Sequence, residues 1–265
     1  MTPFYFGDSK KQLYGVYHPP TAYSQNADAV LICYPLWEEY FRTHRAITQL
    51  ANKLAASGFP VLRFDYFATG DSAGSTDQCT LEQWLQDIET AIFELKDLSA
   101  THNVSIVGLR LGATLAALAS QRTNINKLVL WDPIVYGKLY IQNMKYMQNQ
   151  LVRQHLQDIR QPIQKLLLND DEYFGFRLPK TILSSISDVD LLNTKLKAND
   201  TVLCVTEEKP EFRELMDHLS EQKIKSNYKF IENKVTWDNL EALAVAHMPP
   251  AIIQSIVDSF NNGGN

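Results

Sequence analysis

Residues 104–118 read VSIVGLRLGATLAAL, and this stretch decides the fold. An apolar run, Val104 to Val107, meets Gly108. After three intervening residues comes Gly112, followed by an Ala/Leu-rich run of helical character. Strand, sharp turn and helix in that order is the layout of Gly-x-Ser-x-Gly, which holds a nucleophilic serine exposed on the turn. Here the turn reads Gly108-Leu109-Arg110-Leu111-Gly112, with arginine in the place of serine. A guanidinium has five N–H donors, no acceptor lone pair and a permanent proton, so it cannot attack a carbonyl. The spacing predicts a nucleophile turn whose projecting side chain is a fixed positive charge.

Working outward, strands and helices alternate. AVLICYP (29–35) and FPVLRFDY (59–66) are continuous apolar runs of the kind that fill buried parallel strands. THRAITQLANKLAASG (43–58) has helical spacing and a glycine stop. Residues 80–100 form a long amphipathic helix with Thr80 as its N-cap. KLVLWDP (127–133) follows the elbow helix as another strand. Such alternation implies right-handed crossovers and a mostly parallel sheet. Two aromatic-rich runs at the start, TPFYFG and QLYGVYHPP, read as a hairpin of edge strands, joined to the next strand by the polar loop TAYSQNAD. From about Tyr136 to Asn199 the alternation stops. Helical spacings of Leu, Ile, Met and Tyr, interrupted by Pro162, predict a helical cap over 136–199 inserted into an α/β core of 1–135 and 200–265. The core resumes with TVLCVTEE (201–208), a helix from Lys209, the strand YKFIE (228–232) and a last helix, PAIIQSIVDSF (250–260). The NNGGN tail reads as disordered.

Composition narrows the class. The 265 residues carry a net charge of −5 and are 45% hydrophobic, enough for one large core. No basic block suggests nucleic acid, and no apolar run is long enough to span a bilayer. Cys33, Cys79 and Cys204 lie far apart and form no Cys-x-x-Cys pair, so no metal or cofactor is implied. Buried free thiols at Cys33 and Cys204 and the absence of a leader-like start point to a soluble cytoplasmic protein.

Three motifs then carry a resemblance. FDYFATGDSAG (64–74) is similar to the D-x-x-G-x-G-x-S-x-G loop of lipase-like and peptidase-like α/β-hydrolases. YPLWEEY (34–40), GLRLGA (108–113) and LVLWDPIVYGK (128–138), in this order, resemble the exosortase A system-associated hydrolases of the second type. The resemblance implies the α/β-hydrolase fold, a central, mostly parallel sheet flanked by helices with a helical cap. It is weakest in the cap and the last fifty residues. That group carries an amide where this chain has Asp132.

Arg110 at the start of a helix faces the positive end of the helix dipole, and a buried unpaired charge costs about 3–5 kcal/mol. A negative partner is therefore expected. Glu38 and Glu39, in the loop after the strand AVLICYP, come first, and Asp132 at the end of the next strand comes second. The partner is either one of these carboxylates, making an internal salt bridge, or an anionic group of a ligand. Trp37 and Leu111 complete the ligand-binding candidates. His247 sits before the final helix, where this fold carries its catalytic histidine, and Glu207 or Glu208 ends the strand that carries the acid. A surface histidine and a solvated turn are the competing readings. If they meet, His247 acts as a base on water without a covalent intermediate. Ser72, in GDSAG, reads as a structural residue among turn glycines, and Cys33 as an inert buried thiol. Tyr34, Trp37, Tyr40, Phe67, Trp131 and Tyr136 line an apolar pocket or belong to the core. Met144, Met147, Leu151 and Leu156 make a lid, a dimer face or a helix packed on its own core. Three functions remain open: a protein that binds or processes an acyl, ester, thioester or other anionic ligand in a biosynthetic pathway; a hydrolase or acyl-transfer enzyme with unusual machinery; and a non-catalytic partner protein.

Overall fold

The computed structural model describes residues 1–21, 28–156, 172–233, 236–237, 240, 243 and 245–261. Strands β1 (Thr2–Phe6) and β2 (Leu13–His18) form the antiparallel edge hairpin expected from their aromatic alternation. β3 (Asp28–Cys33), β4 (Val61–Phe64), β5 (Asn103–Leu109), β6 (Ile125–Trp131), β9 (Ala198–Val205) and β10 (Lys225–Phe230) run parallel. The eight strands lie in the order β1-β2-β4-β3-β5-β6-β9-β10, and β2 alone runs against its neighbours. The four central strands are closed to solvent at nearly every position, because helices cover both faces and side chains on either side need apolar surroundings.

Three helices sit between these strands. α1 (Trp37–Ala56) links β3 to β4, α2 (Leu81–Ser99) links β4 to β5, and α3 (Leu111–Ala119) links β5 to β6. Thr80 caps α2, its side chain accepting from the Gln83 backbone N–H at 3.1 Å. α1 starts six residues earlier than its helical spacing suggests, so Glu38 and Glu39 lie in its first turn rather than in a loop. Two carboxylates there are favoured by the positive end of the helix dipole. Trp37 opens the helix with a left-handed φ of 57°.

Between β6 and β9 the chain leaves the sheet. It forms α4 (Gly137–Leu156), a two-stranded hairpin of β7 (Glu172–Tyr173) and β8 (Phe176–Arg177), and α5 (Lys180–Ser187). This hairpin was not expected from the helical spacing; its strands are two residues each, too short to show an alternation. Pro162, residues 22–27 of the TAYSQNAD loop and the last four residues lie outside the described residues. α6 (Pro210–Glu221) and α7 (Pro250–Asn261) complete the core. Met144 and Met147 are buried, so α4 turns its apolar stripe inward. Among the described residues no helix is long and apolar enough to cross a membrane.

Candidate functional site

The sharp bend lies between β5 and α3, where the sequence places it. Arg110 crowns it with φ 54° and ψ −123°, a conformation rarely adopted outside glycine and characteristic of a strained turn. Its N–H donates to the Trp131 carbonyl at 2.9 Å, and its own carbonyl accepts from Ala113 and Thr114, opening the helix. Both flanking glycines are required by close approach. A Cβ on Gly108 would stand 2.4 Å from the Ala113 Cα, and one on Gly112 would stand 2.2 Å from the Tyr34 carbonyl oxygen.

The Arg110 side chain points inward and is only 5% exposed. Its Nε donates to Glu39 Oε1 at 2.9 Å, and Nη1 reaches the Asp132 carbonyl oxygen at 3.4 Å. Its guanidinium carbon lies 4.9 Å from the centre of the Trp237 ring and 5.8 Å from that of Tyr140. Tyr140 in turn donates weakly to Glu39 Oε2, at 3.5 Å. Burial and the charge of Glu39 hold the Tyr140 phenol well above its ordinary pKa. Glu38, beside Glu39, is pushed up to about 8 by burial and by its neighbour's charge.

The remaining candidates are Asp132, His247, Glu207 and Glu208. Asp132 is fully enclosed and adopts φ 44°. Its carboxylate accepts from the Thr206 N–H at 2.7 Å, the Thr206 hydroxyl at 2.7 Å and the Trp237 indole N–H at 2.8 Å. Burial raises its pKa against these donors. His247 is closed to solvent and packs at a tilt against Trp237 with ring centres 4.3 Å apart. Its backbone N–H donates to the Arg42 carbonyl at 2.8 Å, while neither ring nitrogen has a hydrogen-bond partner. Burial, with the charges of Arg42 and Arg110, pushes the imidazole down to about 3, so it is neutral. Glu207 pairs with Lys209 at 3.2 Å and Glu208 with Arg213 at 3.2 Å. No hydrogen bond joins His247 to Asp132, Glu207 or Glu208, and the indole of Trp237 stands between His247 and Asp132.

Ser72 is engaged at both ends of its hydroxyl: it donates to the Asp65 carbonyl at 2.6 Å and accepts from the Tyr14 N–H at 2.8 Å. In the same loop Ala68 stands where the similar hydrolase pattern has its first glycine, and it keeps a left-handed φ of 63°. Cys33 is buried and its thiol is pushed up to about 12 by that burial. Ser105 lies inside the strand, accepting from the Lys127 N–H at 3.1 Å.

Beside this cluster opens a cavity of about 510 Å³. Trp37, Tyr40, Phe41 and Phe176 give it an aromatic wall, and Thr69 and Asp71 supply polar groups. Neither Arg110 nor any other lysine or arginine is among its described lining residues. Phe41, 68% exposed, stacks on Phe176 of the β7–β8 hairpin at 6.0 Å, so the excursion from the sheet reaches the cavity's rim. Arg110 instead borders a crevice of about 40 Å³ with Tyr140 and Lys209. Among the described residues no cluster of three His, Cys, Asp or Glu side chains is placed to hold a metal ion.

Sequence reasoning missed Arg42, Tyr140, Thr206 and Trp237. Arg42 stands one residue ahead of the helical spacing read from the sequence; it is 5% exposed, with its guanidinium over Trp237 at 5.4 Å. Trp237 touches Arg110, Arg42, His247 and Asp132. Its only signal was a lone tryptophan in a polar stretch ahead of His247.

The strand order, the strained bend after β5 and the helices on both faces define the α/β-hydrolase fold. Solved structures similar in shape agree. Est1E from Butyrivibrio proteoclasticus with ferulic acid bound is similar at a TM-score of 0.67 and 16% identity, over 98% of each chain. Alpha/beta hydrolase domain-containing protein 10 from mouse is similar at 0.60 and 14%, over 99% of this chain and 98% of that one. The enol-lactonase from Burkholderia xenovorans is similar at 0.60 and 16%, over 97% and 99%. Neither a family model nor a curated protein matches the sequence. At such identities the likeness is one of fold, and function rests on the site.

Proposed function

We propose that this chain binds an acyl or aryl ester-type ligand in the 510 Å³ cavity and performs no serine-dependent acyl transfer. The observation that carries this reading is the engagement of Arg110: the side chain at the bend is a guanidinium held by Glu39 at 2.9 Å. A serine nucleophile works through a proton acceptor, and a guanidinium offers neither an attacking lone pair nor a removable proton. With Glu39 as partner, Arg110 braces the bend. The cavity wall is aromatic and carries Asp71 with no cation, which suits an uncharged acyl or aromatic group better than an anion. The excursion over residues 136–199 serves as the cap, contributing Phe176 to the rim. A binder or modifier of such a ligand fits a biosynthetic pathway, whether it acts alone or beside a partner protein.

A fluorophosphonate probe tests the reading, because it labels only activated serines. The expected result is no labelled residue, together with a thermal upshift in the presence of p-nitrophenyl acyl esters that Phe41→Ala and Phe176→Ala reduce. Robust labelling of any serine overturns it.

A second reading has one observation in its favour: the His247 ring is neutral with both nitrogens unengaged, as a base acting on water would be. Against it, an imidazole whose conjugate acid has a pKa near 3 is a weak base. Ester hydrolysis that survives Arg110→Ala and disappears with His247→Ala would favour this second reading.

A further inference from the structure

The charge of this chain is divided unevenly. Residues 136–199 hold nine lysines and arginines against six acids, while the rest of the chain holds sixteen against twenty-four. The excursion from the sheet is thus the positive part of an acidic protein, an asymmetry that signals an anionic partner surface.

The positive charge is concentrated on α4. Its twenty residues include Lys138, Lys145 and Arg153 and no Asp or Glu. At 100° per residue these three fall on one face, together with Leu139 and Tyr146. All five are exposed, Leu139 by 50% and Tyr146 by 64%, whereas Tyr140, Ile141, Met144 and Met147 fill the opposite face. Among the described residues none of the three cations has an ion-pair partner. Among the described residues, Glu211 of α6 shares a crevice with Leu139 and Glu214 binds the Tyr136 hydroxyl at the N-terminal end of this helix, and Glu172 lies in β7, which packs against α4.

We propose that this face of α4 docks on an anionic lipid surface. Unpaired cations beside an exposed tyrosine and leucine, on a helix whose other face is committed to the core, match a helix lying on a bilayer rather than inserting into it. Each cation near an anionic surface strengthens attachment roughly fivefold, so the three together supply about a hundredfold. Such attraction extends over about 8 Å at physiological salt, which makes the docking reversible and sensitive to ionic strength. The geometry also links the face to the cavity. Gln148 of α4 accepts from the Phe174 N–H at 2.8 Å, which ties down the hairpin whose Phe176 stacks on Phe41 at the rim. A docked molecule holds that rim beside the lipid. The docking stands or falls independently of what the cavity binds.

Sedimentation of the whole chain with vesicles tests it, comparing phosphatidylcholine alone with phosphatidylcholine mixed with phosphatidylglycerol. The expected result is attachment to the mixed vesicles only, weakening as salt is raised. The triple variant Lys138→Glu, Lys145→Glu, Arg153→Glu should lose at least the hundredfold, and Tyr146→Ala a smaller factor. Lys10→Glu, on the β1–β2 turn and outside this helix, should bind as the unaltered chain does. All five positions are exposed, and unchanged melting temperatures would confirm folded variants. Equal attachment to both kinds of vesicle, no attachment to either, or full attachment of the triple variant overturns the proposal. So does retention of a nucleic acid by a chain that ignores the vesicles.

Discussion

Arg110 Nε stands 2.9 Å from Glu39 Oε1, and the two side chains are only 6% and 4% exposed. A pair this enclosed is costly to break from one side, because the remaining charge is stranded without water. Arg110→Met and Glu39→Leu should each lower stability by about 3–5 kcal/mol, and the double variant should lose clearly less than the sum. Urea unfolding of all four proteins reads the coupling. Additive losses would show that the two groups do not depend on each other.

Two buried groups of opposite type give this site a pH signature. The His247 imidazole sits near 3 against an ordinary 6.5, so the unfolded chain takes up the proton first. Its contribution is complete above about 6.5 and is lost as pH falls toward 3. Glu38 is raised from 4.5 to about 8, so the folded chain holds the proton longer. Its contribution is complete below about 4.5 and is lost as pH rises toward 8. Each effect has a limiting slope of about 1.4 kcal/mol per pH unit. Unfolding measured from pH 4 to 8, within the range these shifts define, should show His247→Gln removing the acid-side loss and Glu38→Gln the alkaline-side loss. Profiles parallel to that of the unaltered protein would contradict both assignments.

Asp132 accepts three hydrogen bonds, two from Thr206 and one from the Trp237 indole. An amide at this position replaces one acceptor by a donor, which then faces either the Thr206 backbone N–H, at the place of Oδ1, or the Thr206 hydroxyl and the indole N–H together, at the place of Oδ2. Asp132→Asn should cost about 1–3 kcal/mol and shift the tryptophan fluorescence. An unchanged emission spectrum would mean that the indole is held by something else.

Gly112 tolerates no side chain, since a Cβ would meet the Tyr34 carbonyl oxygen at 2.2 Å and the Cys33 carbonyl oxygen at 2.5 Å. Both obstacles are backbone of the neighbouring strand's end and cannot swing away. Gly112→Ala should destabilise the fold by more than about 4 kcal/mol, or abolish soluble expression. Near-normal stability would show that the bend can open.

The fold was legible because its signals are local. The β5 run, the paired glycines and the Ala/Leu helix follow one another within fifteen residues, and Thr80 announces α2 by a cap that needs no distant partner. The start of α1 was hidden for a matching reason. Leu36 offers no capping side chain and Trp37 enters with a left-handed φ, so the first turn carries no start signal.

The sequence by itself determined the bend after β5 and that its projecting residue is a cation, because a residue's charge and its glycine neighbours are written into the chain. Only the tertiary structure decided what that cation meets. Glu39, Tyr140 and Trp237 come to Arg110 from three separate segments, and Arg42 is buried over Trp237 through the same convergence. Such contacts arise from the packing of distant segments, and spacing along the chain carries no record of them.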